Sequence, residues 1–274
     1  MGDSFLGYEG KHVLVVGAAT GMGAAAARQA KAQGAKVTAM DVADIDYDVD
    51  AAVRVDLRDR SSVDDAIGQM QGDVQVVFAC AGVADGTPDI VLINFTAQRH
   101  LVETLIDSRR LGRGGSVVMI SSVAGLPWTQ NMPAVTEFLD TPDWKAATAW
   151  IDAHEGTDNY SFSKMAMSAY VARQAYPLLR QGIRINAIQP GPTDTPLARA
   201  NADIWLAFGQ DYRDAVGVAT LTPDEMATTL LFLGSDAASG INGANLLVDQ
   251  GQVGAGATDA FESHPIKAML GLAS

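Results

Sequence analysis

A series of short, continuous apolar runs constrains the fold of this chain more than any other feature. The run His12–Val16, for example, does not alternate apolar with polar residues. A strand with one face in water alternates and a strand buried on both faces does not, so such runs predict a parallel sheet covered by helices on both sides. About seven strands are predicted, at His12–Val16, Lys36–Asp41, Val53–Val55, Val74–Ala79, Ser116–Ser121, Arg184–Ile188 and Ala244–Val248.

Segments with helical character separate these runs. The clearest helix start is Thr222-Pro223-Asp224-Glu225, a capping box with proline at the first helical position. The alternation of strands and helices predicts an α/β fold, a Rossmann-type doubly wound parallel sheet. No repeat or linker divides the sequence, so a single domain, 1–274, is expected. The main helices are predicted at about 21–33, at Ser61–Met70 with Ser61 as the N-cap, at about 157–180, and from Pro223 to Leu233.

Composition excludes several classes of function. The 274 residues include 19 Lys+Arg and 32 Asp+Glu, a formal net charge of −13, which argues against binding to nucleic acid or to an anionic membrane. The single cysteine, Cys80, and four scattered histidines exclude an intrachain disulfide and the common zinc motifs, so no metal is expected. The N-terminal residues do not resemble a secretory signal, and the longest uncharged stretch, Gly114–Thr136, is too polar to span a membrane. A cytoplasmic location is therefore expected.

A glycine-rich segment, Gly17–Gly23, joins the first predicted strand to the first predicted helix. Glycines there allow a tight turn and a close approach of the backbone to a pyrophosphate at the helix N-terminus. The alternative is a turn that binds no ligand. Asp41 ends the second strand, 18 residues after Gly23. A carboxylate at this position accepts hydrogen bonds from an adenosine ribose and repels a 2′-phosphate, unless it is only a solvated acid.

Polar residues at specific positions suggest acid–base chemistry. Tyr160 and Lys164 are four apart on a predicted helix and so share a face, although such pairs also arise by chance. A nearby ammonium lowers the pKa of a phenol, which makes Tyr160 a usable acid or base. Ser122 follows a predicted strand and Asn94 interrupts an apolar helical stretch, and both also have purely structural explanations. The rigid loop Pro190–Pro196 follows the strand Arg184–Ile188.

Read in order, these motifs resemble the short-chain dehydrogenase/reductase family across nearly the whole chain. The family's glycine motif matches Gly17, Gly21 and Gly23, and its Asn-Ala-Gly element appears as Cys80-Ala81-Gly82. Two departures are Val16 in place of a threonine and Cys80 in place of an asparagine. The resemblance implies a catalytic tetrad of Asn94, Ser122, Tyr160 and Lys164. It implies cofactor binding by Gly17, Thr20, Gly21, Met22, Gly23, Asp41, Asp56, Leu57, Ala81, Gly82, Tyr160, Lys164, Pro190, Thr193 and Thr195.

The resemblance also implies a mechanism. NAD is the expected cofactor, and a hydride passes between the nicotinamide ring and a secondary alcohol carbon. Tyr160 takes the hydroxyl proton, Lys164 binds the nicotinamide ribose, Ser122 hydrogen-bonds the substrate oxygen, and Asn94 holds a water that relays the proton. Assembly as a homodimer or homotetramer is expected. An epimerase or dehydratase of the extended branch, and a non-catalytic dinucleotide sensor, are the alternatives.

Spacing within the chain indicates a branch of this family. The stretch from Gly82 to Asn94 is shorter than usual, and the stretch from Ser122 to Tyr160 is much longer. This pattern resembles the bacterial 3α-hydroxysteroid dehydrogenase/carbonyl reductase branch, which implies a bulky hydrophobic, steroid-like or cyclic substrate.

The long stretch contains an inserted segment, 126–157, with three of the four tryptophans: Trp128, Trp144 and Trp150. We expect this segment on the substrate side, with a subunit contact as the alternative, and leave the tail, 252–274, unassigned.

Overall fold

The computed structural model describes residues 6–272, which form one sheet with helices on both faces. All seven strands are parallel, in the order β3-β2-β1-β4-β5-β6-β7. Strands β1, β4 and β6 are almost entirely buried, as their continuous apolar runs require. The strands are β1 His12–Val16, β2 Lys36–Asp41, β3 Ala51–Arg54, β4 Val74–Ala79, β5 Leu111–Ile120, β6 Arg184–Pro190 and β7 Asn245–Val248.

Helices cover the sheet in two layers. One face packs against α2, α3 and α6, and the other against α1 and α10. The larger helices are α1 Gly21–Ala32, α2 Arg60–Gln69, α3 Ala97–Asp107, α4 Met132–Leu139, α5 Trp144–Ala153, α6 Tyr160–Arg180 and α10 Pro223–Gly234. The shorter helices are α7 Pro196–Arg199, α8 Ala202–Trp205, α9 Gln210–Val216, α11 Gln252–Ala257 and α12 His264–Leu270.

The predicted fold class, a single-domain doubly wound parallel sheet of about seven strands, is confirmed. Some boundaries differ. The prediction that Ser61 caps α2 is wrong, because the Asp59 side chain accepts a hydrogen bond from the Ser61 amide and takes the N-cap position. Helix α6 begins at Tyr160 rather than near Thr157, since the Asn159 side chain caps it by accepting from the Phe162 amide at 2.8 Å.

The strand order places the functional residues at one edge. The sheet runs from β1 through β2 to β3 on one side and from β4 to β7 on the other, so connections diverge between β1 and β4. In open α/β sheets, ligands bind at the carboxyl ends of the strands near such a divergence. The glycine turn after β1 and the segment after β4 both lie there.

The inserted segment and the tail fold against this framework. Residues of α4 and α5, including Val135, Phe138 and Trp150, join the core cluster under α6. The tail forms α11 and α12. Its second helix reaches back to the segment after β5, where the Gln130 side-chain amide donates to the Met269 carbonyl at 2.7 Å.

Candidate active site

The glycine turn after β1 brings two segments of backbone together. Gly17 has φ +80°, and a Cβ there would stand 2.5 Å from the backbone of Ala81. A Cβ on Gly23 would overlap the carbonyl oxygen of Gly17. Only glycine fits at either position. The turn itself therefore adds no side chain at Gly17 or Gly23 that would hinder a ligand at the N-terminus of α1.

An outer groove of about 340 Å³ extends from this turn to the ends of β2 and β3. Asp41 lies in its wall, where one carboxylate oxygen accepts from the Ala19 amide at 2.9 Å and the other from the Ala43 amide at 3.0 Å. Asp56 pairs with Arg58 at 2.8 Å, and hydrogen bonding to that guanidinium lowers the pKa of the Asp56 carboxyl. The sequence-predicted residues lining this groove are Gly17, Thr20, Gly21, Met22, Gly23, Asp41, Asp56, Leu57, Ala81, Gly82 and Thr195.

An inner cavity of about 320 Å³ adjoins the groove and shares Ala81, Gly82 and Thr195 with it. Ser122, Tyr160 and Lys164 all line this cavity. Lys164 is buried, and its ammonium donates to the Ile120 carbonyl at 2.7 Å and lies 5.4 Å from the centre of the Tyr160 ring. The structure thus brings together three polar side chains that are separated by up to 42 positions in the sequence.

Burial controls the protonation of these groups. Desolvation raises the pKa of the Tyr160 hydroxyl to about 12, although a hydrogen bond with Ser122 lowers it in part. Desolvation lowers the pKa of Lys164 from 10.5 to about 8. The expected lowering of the tyrosine pKa by Lys164 is therefore not seen in the protein alone: burial of the phenol has the largest effect, and the nearby charge of Asp85 also raises the pKa of Tyr160.

The loop after β6 forms another side of the inner cavity. Pro190, Thr193 and Thr195 line it, as the sequence predicts for the segment Pro190–Pro196. The Thr193 hydroxyl donates to the Gly191 carbonyl at 3.0 Å, and the Thr195 hydroxyl caps α7 by accepting from the Ala198 amide. These bonds within the loop hold it in one shape beside the cavity.

Asn94 lies behind the cavity rather than in its wall. It is fully buried in a π-helical turn, Leu92–Thr96, and its side chain bonds both the amide and the carbonyl of Val83, at 2.8 and 3.0 Å. The buried Gln98 side chain donates to the carbonyls of Ala81 and Asn94, at 3.0 and 2.8 Å. These two amides clamp the backbone on either side of Gly82. Sequence reasoning missed Gln98, since a polar residue in a predicted helix gives no sign that it faces the core.

Much of the remaining wall of the inner cavity is apolar. The Trp205 ring lies 4.7 Å from the Tyr160 ring, centre to centre, and Ile204, Phe208 and Met269 lie nearby. Sequence reasoning missed these residues as well. Their segments lie after α7 and in the tail, where short helices give little periodic pattern.

The tryptophans of the inserted segment lie elsewhere. Trp150 stacks on His154 and Phe162, and Trp144 meets His100 edge-on. Trp128 packs against the same core cluster, and no residue of 126–157 is among those lining the inner cavity. The expectation that these rings face the substrate does not match the geometry, because the two helices of the segment turn its apolar side toward α6.

Comparison with known proteins identifies the family of this chain. Residues 11–134 match the family model described as short chain dehydrogenase, and residues 146–252 match the model described as Enoyl-(Acyl carrier protein) reductase. The cis-4-hydroxycyclohexanecarboxylate dehydrogenase of Sinomonas cyclohexanicum is 30% identical over 277 residues, which cover 92% of this chain and 98% of that protein. This chain belongs to the short-chain dehydrogenase/reductase family.

The resemblance to one branch of the family is also confirmed. The 3-alpha-hydroxysteroid dehydrogenase/carbonyl reductase of Comamonas testosteroni is 26% identical over 254 residues, covering 87% of this chain and 95% of that protein. The structure of the 3-alpha-hydroxysteroid dehydrogenase from Pseudomonas sp. B-0831, complexed with NADH, superimposes with a TM-score of 0.72 at 24% identity. The superposition covers 92% of this chain and 99% of that chain, which shows that the two proteins share a fold.

As a short-chain dehydrogenase/reductase, the chain is an oxidoreductase of a family that binds nicotinamide dinucleotides. The residues present fit such a cofactor. The glycine cradle at Gly17 and Gly23 leaves room for a pyrophosphate, and the groove continues past Asp41 at one end and into the cavity of Tyr160 at the other. Residues 6–272 contain no cluster of three or more metal-ligating side chains, and none of their helices is long and apolar enough to cross a membrane.

Proposed function

We propose that this short-chain dehydrogenase/reductase interconverts a secondary alcohol and its ketone with NAD as cofactor. One observation carries the proposal: Tyr160 lines the inner cavity together with Ser122 and Lys164, and this cavity continues into a groove whose glycine turn leaves room for a dinucleotide. When bound, NAD would supply the hydride acceptor for alcohol oxidation, and NADH would supply the hydride donor for ketone reduction. The residues of the chain supply the position of the substrate and the path of its proton.

Tyr160 is the acid–base group in this proposal. In the direction of alcohol oxidation its oxygen takes the hydroxyl proton, and in the direction of ketone reduction it returns one. Ser122 bonds the same substrate oxygen and so aligns it with Tyr160. Lys164 would hold the nicotinamide end of a bound cofactor, and its ammonium lies 5.4 Å from the centre of the Tyr160 ring, where a positive charge favours the deprotonated form of Tyr160.

Asn94 has a positioning role in this proposal. Its side chain is occupied by Val83 and Ser163, so the side chain is not free to hold a relay water. Instead, Asn94 fixes the backbone next to Gly82, where a Cβ would lie 3.9 Å from both the Asn94 side-chain oxygen and the Lys164 ammonium. The clamp formed with Gln98 keeps this part of the cofactor site in place.

The preference for NAD over NADP follows from charge. Asp41 lies in the groove wall, and three further acids, Asp44, Asp46 and Asp48, follow it in an exposed loop. Of the cations near this end of the groove, Arg58 pairs with Asp56 and Arg28 lies 4.2 Å from the centre of the Tyr47 ring, while Arg54 is the register partner of Asp41 across β2 and β3. The five acids, Asp41, Asp44, Asp46, Asp48 and Asp56, outnumber these three arginines, so a 2′-phosphate at this end of the groove meets a net negative charge.

The apolar wall supports a bulky hydrophobic substrate, either cyclic or steroid-like. Trp205, Phe208 and Met269 offer a surface that a ring system can cover, and burial of apolar area is the main source of affinity at such a wall. A screen tests the proposal. Purified protein is mixed with NAD or NADP and with steroid, alicyclic and aryl alcohols, and NADH formation is followed by absorbance. Turnover of at least one such alcohol with NAD supports the proposal, and NADH binding without turnover of any alcohol contradicts it.

We also propose that copies of this protein assemble into a homodimer or a homotetramer. Helix α6 leaves Tyr176 and Leu179 exposed one turn apart, at 72% and 53% of their surface, which is unusual for large apolar side chains. Light scattering gives the mass in solution, and a monomer contradicts the proposal.

A further inference from the structure

A carboxylate stands at the wall of the inner cavity next to the proposed acid–base group. Asp85 follows β4 in the short stretch between Gly82 and Asn94, and its side chain is exposed. One of its oxygens accepts a hydrogen bond from the backbone amide of Tyr160 at 2.7 Å. This bond satisfies the first amide of α6 and fixes the carboxylate beside the tyrosine, within the lining of the cavity.

The charge of Asp85 is not balanced at this wall. The described residues that line the inner cavity include four titratable side chains, those of Cys80, Asp85, Tyr160 and Lys164. Asp85 is the one carboxylate among them and Lys164 the one amine. The Lys164 ammonium donates to the Ile120 carbonyl and forms no ion pair with Asp85. The ion pairs found within residues 6–272 do not include Asp85. The other described side chains that line the inner cavity include no cation besides Lys164, so none of them neutralises the carboxylate.

We propose that Asp85 selects substrates by charge, so that the enzyme takes neutral alcohols and ketones and rejects those carrying a carboxylate. The inference rests on the proposed function and narrows its substrate class. An anionic group entering the cavity loses its hydration among apolar side chains and meets a fixed like charge, and both effects weaken its binding. A neutral ring loses little hydration, and a cationic group is attracted to Asp85.

A set of substrates that differ only in charge tests the inference. Cyclohexanols carrying a carboxylate, a carboxamide or an aminomethyl group, at ring position 3 or 4, have similar size and charges of −1, 0 and +1 at pH 7.5. We expect the wild-type kcat/KM for the carboxylate to be at least about tenfold below that for the carboxamide. In Asp85→Asn this gap shrinks to less than about threefold. Asparagine keeps an oxygen that accepts from the Tyr160 amide, so the start of α6 is preserved.

Asp89→Asn is the matched control. Asp89 is exposed in the same loop and is not among the residues lining the inner cavity or the outer groove. Its substitution by asparagine removes the same charge as Asp85→Asn. We expect it to leave the ratio of the carboxylate to the carboxamide unchanged. A ratio that is equal in the wild type and Asp85→Asn, or that changes as much in Asp89→Asn, overturns the inference.

Binding to the NADH complex, followed by quenching of NADH fluorescence, separates this inference from the proposed function. If none of the alcohols is turned over but binding still depends on charge through Asp85, the proposed function fails, while the discrimination by charge that we assign to Asp85 holds for binding. If all are turned over at equal rates, the inference fails and the proposed function holds.

Discussion

The ring of Trp205 lies against the ring of Tyr160, with centres 4.7 Å apart and planes at 43°. The two residues belong to different parts of the chain, because Tyr160 begins α6 and Trp205 ends the short helix α8. An apolar ring this close to the tyrosine excludes water from one side of the site and offers a surface for substrate.

Trp205→Ala is therefore expected to impair turnover of bulky substrates selectively. Loss of the ring removes apolar contact area, and we expect kcat/KM for a bulky cyclic alcohol to fall about tenfold or more. The value for a small acyclic alcohol changes less, and NADH binding is retained. Trp144→Ala is the control, since Trp144 packs edge-on against His100, away from the cavity. If Trp144→Ala shows the selective loss and Trp205→Ala does not, the substrate wall has been placed on the wrong segment.

Asp41→Asn is expected to weaken the preference for NAD. Asparagine keeps an oxygen that accepts from the Ala19 amide, so the fold of the glycine turn is preserved while the charge is removed. The ratio of kcat/KM with NAD to kcat/KM with NADP is expected to fall at least about tenfold, because repulsion of the 2′-phosphate is relieved. The measurement compares both cofactors with one alcohol. A wild-type preference for NADP contradicts the ribose role of Asp41.

Lys164→Met is expected to abolish activity and yet stabilise the fold at neutral pH. Burial lowers the pKa of Lys164 from 10.5 to about 8, so below pH 8 the folded chain keeps a charged ammonium in a dry site. Methionine removes this desolvation cost, but it also removes the hydrogen bond to the Ile120 carbonyl. The net effect is expected to raise the free energy of unfolding by about 1–2 kcal/mol at pH 7.

This gain depends on pH with a definite sign. Between pH 8 and 10.5 the folded chain has lost the proton and the unfolded chain still holds it, so the cost of Lys164 shrinks as the pH rises. Above pH 10.5 the lysine is neutral in both states. Denaturant unfolding of the wild type and Lys164→Met at pH 7, 9 and 10.5 checks this. A variant less stable than the wild type at pH 7, or a gap that widens with pH, is inconsistent with a buried ammonium.

The sequence predicts the strands of the sheet and the glycine turn well, because each of them depends on the types of residue within one short segment. Continuous apolar runs such as Val74–Ala79 allow only a strand buried on both faces, and the bounds of that strand are matched by the structure. The glycine turn at Gly17 is equally readable, since only glycine tolerates both the backbone angle and the approach of Ala81. Ser122, Tyr160 and Lys164 converge because parallel strands end at one edge.

Other features depend on contacts that local pattern does not show. The apolar wall comes from Trp205, Phe208 and Met269, whose segments are far apart and carry no repeating pattern. The tryptophan-rich insertion is more conspicuous in the sequence, yet its rings join the core. The protonation of Tyr160 also follows from burial, which the spacing of Tyr160 and Lys164 does not reveal.

The central claim is that Tyr160 transfers the substrate proton in an NAD-dependent reaction. Tyr160→Phe keeps the ring against Trp205 and removes only the hydroxyl. The most direct test measures NADH formation from a responsive alcohol by the wild type and this variant, together with NADH binding by fluorescence. We predict that kcat falls by at least about 100-fold while the Kd for NADH stays within about threefold. A variant whose kcat remains within a few-fold of the wild type contradicts the account.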